Sequence, residues 1–144
     1  SLSISCYSFT RIAKIFQPVI SPGGSLVTLS FHGASKVMPN YNVMGVAKAA
    51  LETSVKYLSV DLGDQDVRVN AISAGPMRTL AGAAIANARD VFNYTSENSS
   101  LKRNVNLDEL GNSALYLVSD LSSAITGEIH YVDCGFNIIG MPKS

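Results

Sequence analysis

The chain has 144 residues, 47% of them hydrophobic and 15% charged, and no net formal charge. That is the profile of one folded domain with one core, not of a disordered segment, and the neutral balance argues against a nucleic-acid or anionic-membrane surface. Two cysteines, Cys6 and Cys134, are too few for a disulfide framework and read as reduced thiols of a cytoplasmic protein. The apolar runs stop far short of the ~20 residues of a membrane span. Ser1-Leu2-Ser3 lacks the basic region that opens a secretory signal. A start at Ser1, directly in a helical pattern, is expected of a piece of something longer.

Residues 3–20 carry a helical stripe of Ile4, Tyr7, Ile12, Ala13 and Phe16, which Pro18 should end or kink. Pro22-Gly23-Gly24 is a turn. The short run Leu26-Val27-Thr28-Leu29 predicts a strand over 25–30, buried on both faces and so parallel. Phe31 to Met38 then leaves the sheet as a loop, at the carboxyl end of a strand where open α/β sheets bind ligands.

A helix is expected from about Pro39, a favoured first-turn residue. Val43, Val46, Ala47, Ala50, Leu51, Val55, Leu58 and Leu62 recur along it at helical spacing, and Gly63 is a natural stop. Tyr41 and Lys48 lie seven residues apart on it, nearly two turns, and so on one side. Gly45 between them costs roughly 1 kcal/mol relative to alanine, which points to close approach of another backbone or a ligand.

Val67-Arg68-Val69-Asn70-Ala71-Ile72-Ser73 reads as the next strand, completing a βαβ unit with a right-handed crossover. Gly75-Pro76-Met77-Arg78-Thr79 turns at its carboxyl end. The stretch 80–104 holds five alanines between Leu80 and Ala88, then a polar tract from Thr95 to Ser100. It reads as a weakly helical insertion of the kind that forms lids or binding loops. Asn106-x-x-Glu109 is a capping-box start for a helix with Leu107, Leu110, Ala114, Leu115, Leu117 and Val118. Glu128 to Val132 is a third strand, and the apolar tail 133–141 could cover a partner subunit. Three helices alternate with three strands, an α/β layered sandwich.

Two segments, Pro39-Asn40-Tyr41-Asn42-Val43-Met44-Gly45-Val46-Ala47-Lys48 and Val67-Arg68-Val69-Asn70-Ala71-Ile72-Ser73-Ala74-Gly75-Pro76, resemble the bacterial NADH-dependent enoyl-[acyl-carrier-protein] reductases of the short-chain dehydrogenase/reductase superfamily. The resemblance continues through Leu29-Ser30, Arg78-Thr79-Leu80, Gly111-Asn112-Ser113-Ala114, Ser119-Asp120-Leu121-Ser122 and Gly135-Phe136, and so covers essentially the whole chain. Spacing discriminates within the superfamily. Ordinary members have three residues between tyrosine and lysine, whereas here Gly45 stands four after Tyr41 and the lysine is Lys48. That argues against the alternative of a ketoacyl reductase. No glycine-rich phosphate-binding loop is present, so the resemblance implies the C-terminal half of a Rossmann-type, doubly wound parallel sheet in a three-layer αβα sandwich. Residues 1–144 would then be a single partial domain with a substrate lid at about 77–104. Lacking half the cofactor site, the chain alone is expected to be inactive, and a non-catalytic module is the reading from another class.

On residue type alone, Tyr41 is an ordinary helix tyrosine and Lys48 a solvated lysine. The resemblance implies catalytic roles: a phenol that stabilises the enolate formed from a trans-2-enoyl thioester, and an amine on the nicotinamide ribose of NADH. Phe31 stands where many family members have a second tyrosine, and its ring is expected to pack on substrate. His32, beside it, reads as a loop histidine. Lys48, Pro76, Met77, Arg78, Thr79, Leu80 and Ala81 would bind the cofactor. Tyr41, Met44, Ala81 and Ile85 would bind substrate. No residue pattern suggests a metal. The implied partners are acyl carrier protein and three further copies in a homotetramer. Arg89, Lys102 and Arg103 are either a basic patch for the acidic carrier protein or ordinary surface charge.

Overall fold

The computed structural model describes residues 1–79 and 88–141. A wide π-type turn over Ser3–Tyr7 runs into α1 (Ser8–Phe16), which a 3-10 turn at Gln17–Val19 ends where Pro18 sits. Then follow β1 (Ser25–Phe31), α2 (Asn42–Asp61), β2 (Arg68–Ala74), α3 (Ala88–Asn98), α4 (Leu107–Val118) and β3 (Ile129–Val132). The strands pair in parallel in the order β1-β2-β3, with Leu26 opposite Val69 and Ala71 opposite Ile129.

Alternation along the strands feeds two cores, one on each face. Val69 and Ala71 of β2 pack with Val55 and Leu62 from the α2 side, joined by Leu26, Ile129 and Phe9. Ile72 and Ala74 pack with Leu110 and Leu117 of α4, joined by Val27 and Val132. Helices therefore cover both faces of a parallel sheet, an α/β/α sandwich.

Every residue of β2 is buried. β1 departs from the expectation of a strand buried on both faces: Leu29 is 51% exposed, because β1 pairs only with β2 among the described residues. The second helix begins at Asn42, not near Pro39. Asn40 sits at φ 63, a left-handed conformation that cannot continue a right-handed helix. Tyr41 is thereby the residue before the helix. The other end stops ahead of Gly63 as expected, at Asp61 with Leu62 as cap; Gly63 then opens a short 3-10 turn, and the left-handed residue is Asp66.

Ala47, Leu51 and Val55 form the buried stripe of α2, while Val43 and Val46 face outward. The capping box at Asn106 and Glu109 forms as expected. On α4, Leu110 and Leu117 are buried, but Leu107, Leu115 and Val118 are exposed. Among the described residues of the stretch 80–104, α3 is a helix beyond the expected α-β-α-β-α-β order. α3 is tied down by Thr95 and Ser99, both fully buried, and the turn after it is joined to the segment following β3 by the Leu101 N–H on the Cys134 carbonyl and the Ser100 hydroxyl on that of Gly135.

Candidate active site

The site is built at the carboxyl ends of β1 and β2. After Phe31 the chain makes a 3-10 turn over His32–Ala34 and returns to Tyr41, whose N–H donates to the Met38 carbonyl at 3.2 Å and whose carbonyl accepts from Met44 N–H at 2.8 Å. The Tyr41 ring is buried, 8% exposed, and lies between two glycines. A methyl group on Gly33 would overlap ring carbons Cδ1 and Cε1, and one on Gly45 would stand 2.8 Å from the Gly33 carbonyl oxygen and 3.6 Å from Cδ1. Gly45 thus permits the backbone approach expected of it. Phe31 closes the stack, its ring centroid 5.0 Å from that of Tyr41 at a tilt of 59°.

Burial raises the Tyr41 pKa above its ordinary value, so near neutral pH the group is a phenol that can donate a proton or hydrogen bond. Among the described residues its hydroxyl has no hydrogen-bond partner. Lys48 does not point to that hydroxyl. Its Nζ donates to the Leu29 carbonyl of β1 at 2.7 Å. Burial lowers the pKa of this amine, partly offset by nearby Cys6 and Glu52. Glu52 itself accepts from the Ser30 hydroxyl at 2.5 Å. Tyr41 and Lys48 therefore flank one strand end, but they are not brought into contact.

Beyond β2, Pro76 and Met77 are half-buried, and Met77 packs against the α4-side core. The Arg78 guanidinium lies over the Phe92 ring, 4.7 Å from its centroid, a cation–π contact. Thr79 N–H donates to the Met77 carbonyl at 3.0 Å. Leu80, Ala81 and Ile85 lie outside the described residues. Met44 is half-buried. An open groove of about 390 Å³ lies between the 33–38 loop and α2, lined by Gly33, Lys36, Met38, Tyr41, Gly45 and Val46. No cluster of metal-ligating side chains occurs among the described residues.

His32 is better defined than a solvent-facing loop histidine. Its ring meets Phe136 edge-on at 5.3 Å, its Nδ1 is buried without a hydrogen-bond partner, and burial lowers its pKa, with Asp133 opposing and Lys36 adding to the shift. Of the three cations considered for a basic patch, Arg103 is committed elsewhere: it forks onto both carboxylate oxygens of Glu109, at 2.9 and 2.6 Å. Lys102 Nζ donates to the Glu97 carbonyl at 2.9 Å, and Arg89 is exposed. The role of Gly33 was not anticipated from sequence. A glycine on each side of Tyr41 was a visible signal, but their meeting across the ring depends on how the loop folds back.

The family model described as enoyl-(acyl carrier protein) reductase matches residues 1–137. The chain is 58% identical over 142 residues to enoyl-[acyl-carrier-protein] reductase [NADH] 2 of Rhizobium meliloti, covering 99% of this chain and 53% of that protein. It is 54% identical over 143 residues to the FabI reductase of Rickettsia prowazekii, covering 99% of this chain and 55% of that one. The crystal structure of FabI from Candidatus Liberibacter asiaticus superposes with a TM-score of 0.96 at 55% identity, covering 99% of this chain and 55% of its own. The reductase of Anaplasma phagocytophilum, solved in complex with NAD, superposes at 0.94 with 56% identity, covering all of this chain and 55% of its own. The chain spans about half the length of these relatives. With a model match over nearly its whole length, it belongs to the enoyl-(acyl carrier protein) reductase family.

Proposed function

We propose that this chain supplies the substrate-facing half of an NADH-dependent enoyl-[acyl-carrier-protein] reductase, which reduces the carbon–carbon double bond of a trans-2-enoyl thioester in the fatty-acid elongation cycle. The observation that carries this reading is the Tyr41 phenol: its ring bedded between Gly33 and Gly45, its proton held by burial, and its hydroxyl without a hydrogen-bond partner among the described residues. A relative solved in complex with NAD superposes on this chain, which supports a nicotinamide dinucleotide as the cofactor. Lys48 would hold the ribose, main-chain groups at Pro76, Met77 and Arg78 would face the carboxamide, and Thr79, Leu80 and Ala81 would continue toward the pyrophosphate. When bound, the dinucleotide supplies the hydride.

The chain's own residues then have separable tasks. The Tyr41 hydroxyl donates to the thioester carbonyl oxygen as negative charge collects there, which lowers the barrier without moving the ring. An O–H donor is needed, and burial keeps it protonated. Phe31 has no hydroxyl to offer and holds the Tyr41 ring by packing. Met44, Ala81 and Ile85 would line the acyl chain. Arg89 and Lys102 are the cations left to receive the acidic acyl carrier protein. Exposed apolar side chains on α2 (Val46, Tyr57, Val60), on α4 (Leu115, Val118) and at Ile138 support burial against further copies in a homotetramer. Two free thiols support a cytoplasmic setting. No helix of the described residues is long and apolar enough to cross a membrane.

The test joins this chain to the N-terminal half of the Rhizobium meliloti relative and follows NADH oxidation with a crotonyl thioester. The fusion should turn over, and the 144-residue chain alone should not. In the fusion, Tyr41→Phe should cut turnover by about 10²-fold or more with NADH affinity nearly unchanged. Unchanged turnover would remove Tyr41 from the chemistry.

A further inference from the structure

His32 stands between Phe31 and Gly33, two of the residues that hold the Tyr41 ring. Its carbonyl accepts from the N–H groups of Ser35 and Lys36, both at 3.1 Å, which fixes the turn. Its ring crosses to the segment after β3 and meets Phe136 edge-on at 5.3 Å, and Phe136 in turn meets Tyr94 of α3 at 6.2 Å and 85°. One imidazole thus pegs the turn under Tyr41 to a wall built from two other elements. Nδ1 of that imidazole is buried without a partner. The neutral tautomer with its proton on Nε2 leaves only a lone pair there, whereas the imidazolium would bury an unmatched N–H. The charged groups acting on the ring are Asp133, from the segment after β3, and Lys36, from its own loop. Tyr94 stands across Phe136, and Tyr41 rests on Gly33. Asp133 is 5% exposed. Its carboxylate accepts from the N–H groups of Gly135 and Asn137 and from Asn137 Nδ2, three bonds where about four can be taken. One acceptor position is left, and protonated His32 brings a donor that fits it.

We propose that His32 is a positioning residue for the Tyr41 phenol: the neutral ring, seated on Phe136, holds the turn that beds the phenol, and a proton on Nδ1 draws the ring toward Asp133 and loosens that bed. The transmission is steric. A methyl on Gly33 would overlap Tyr41 Cδ1, so there is no slack between the residue beside His32 and the phenol ring. A close-packed interior passes a small displacement on rather than absorbing it. Burial lowers the His32 pKa, with Asp133 opposing and Lys36 adding to the shift. The bed is therefore intact at neutral pH and is lost as pH falls through the folded value. Phe31 offers no hydroxyl, so the ring pair has one donor, and an error in its placement has no substitute. The inference deepens the proposed role of Tyr41 and rests on it only for the effect on turnover.

Selective carbon labelling of histidine and tyrosine rings follows His32 and Tyr41 by NMR through a pH titration, in the chain and in the fusion described above, without substrate. His32→Phe and Tyr41→Phe assign the signals. The Tyr41 resonances should shift with the midpoint of His32, which should lie below the ordinary histidine value. They should stay flat in His32→Phe, which keeps a ring and cannot take a proton. Tyr41 signals that ignore the His32 titration would overturn the coupling, whatever the fusion does with substrate. In the fusion, kcat should fall on the acid side with that same midpoint while KM for NADH holds. His32→Ala should lower kcat about tenfold above the midpoint, less than the roughly 10²-fold cost of about 1 Å of misplacement. His32→Phe should recover most of that loss and remove the acid limb. An acid limb that survives in His32→Phe would rule out the His32 proton as its cause, and an unchanged kcat in His32→Ala would end the positioning role. A fusion without turnover counts against the proposed function, and the ring resonances still decide the inference.

Discussion

Among the described residues two glycines lie inside α-helices, Gly45 in α2 and Gly111 in α4, and replacing each by alanine should move stability in opposite directions. Helix propensity favours alanine at both by up to about 1 kcal/mol. At Gly111 the added methyl meets nothing within 4 Å, so the propensity gain should appear nearly whole. At Gly45 the methyl would stand 2.8 Å from the Gly33 carbonyl oxygen. That carbonyl cannot retreat freely, because Gly33 already rests on the Tyr41 ring. Forcing an extra carbon into such a contact costs about 1–3 kcal/mol. The net expectation is a loss of about 1 kcal/mol at Gly45 and a gain of about 1 kcal/mol at Gly111. For a domain of this length each is a shift of about 4 °C in Tm. Thermal unfolding of the two variants and the parent, followed by far-UV circular dichroism, reads both signs at once. If Gly45→Ala raises Tm as much as Gly111→Ala, the Gly33–Tyr41–Gly45 stack is not the constraint described here.

Arg68 is buried and donates to the Leu117, Ser119 and Ser122 carbonyls and the Ser122 hydroxyl, so Arg68→Met should cost about 3 kcal/mol in urea unfolding by stranding the carbonyls that end α4; a loss under about 0.5 kcal/mol would show that water replaces it. Burial holds the His32 pKa in the folded chain below its ordinary value. The unfolded state therefore binds more protons through that window, and stability should fall as pH drops from about 6.5 toward the folded value. His32→Leu should flatten this part of the pH–stability curve, and an unchanged slope in urea titrations at pH 5.5 and 7.5 would assign it elsewhere. Cys134 holds φ 57, a conformation that costs a side chain about 1 kcal/mol, so Cys134→Gly should leave stability unchanged or raise it slightly, and a clear loss of Tm would show that the thiol packing outweighs the backbone cost.

Features set by neighbours in the chain were legible in the sequence. The strand runs at Leu26 and Val67, the turn at Pro22-Gly23-Gly24, the stop at Pro18 and the capping box of Asn106 and Glu109 each depend on a few adjacent residues, and each formed where local chemistry placed it. The Tyr41-to-Lys48 spacing was equally visible and carried the family. What the spacing did not determine was where the two side chains go. Asn40 in the left-handed region put Tyr41 ahead of the helix, and the Leu29 carbonyl, nineteen residues away from Lys48, took the amine. Gly33 could be seen as a glycine but not as the bed of a ring, because that requires the loop to fold back over α2. Arg68 read as one member of an alternating strand, and only the arrival of the end of α4, about fifty residues later, gave its charge a place in the core. Long-range contacts of this kind are decided by packing across the sheet, where the cost of burying a polar group selects its partner, and that cost is not written in the order of the residues around it.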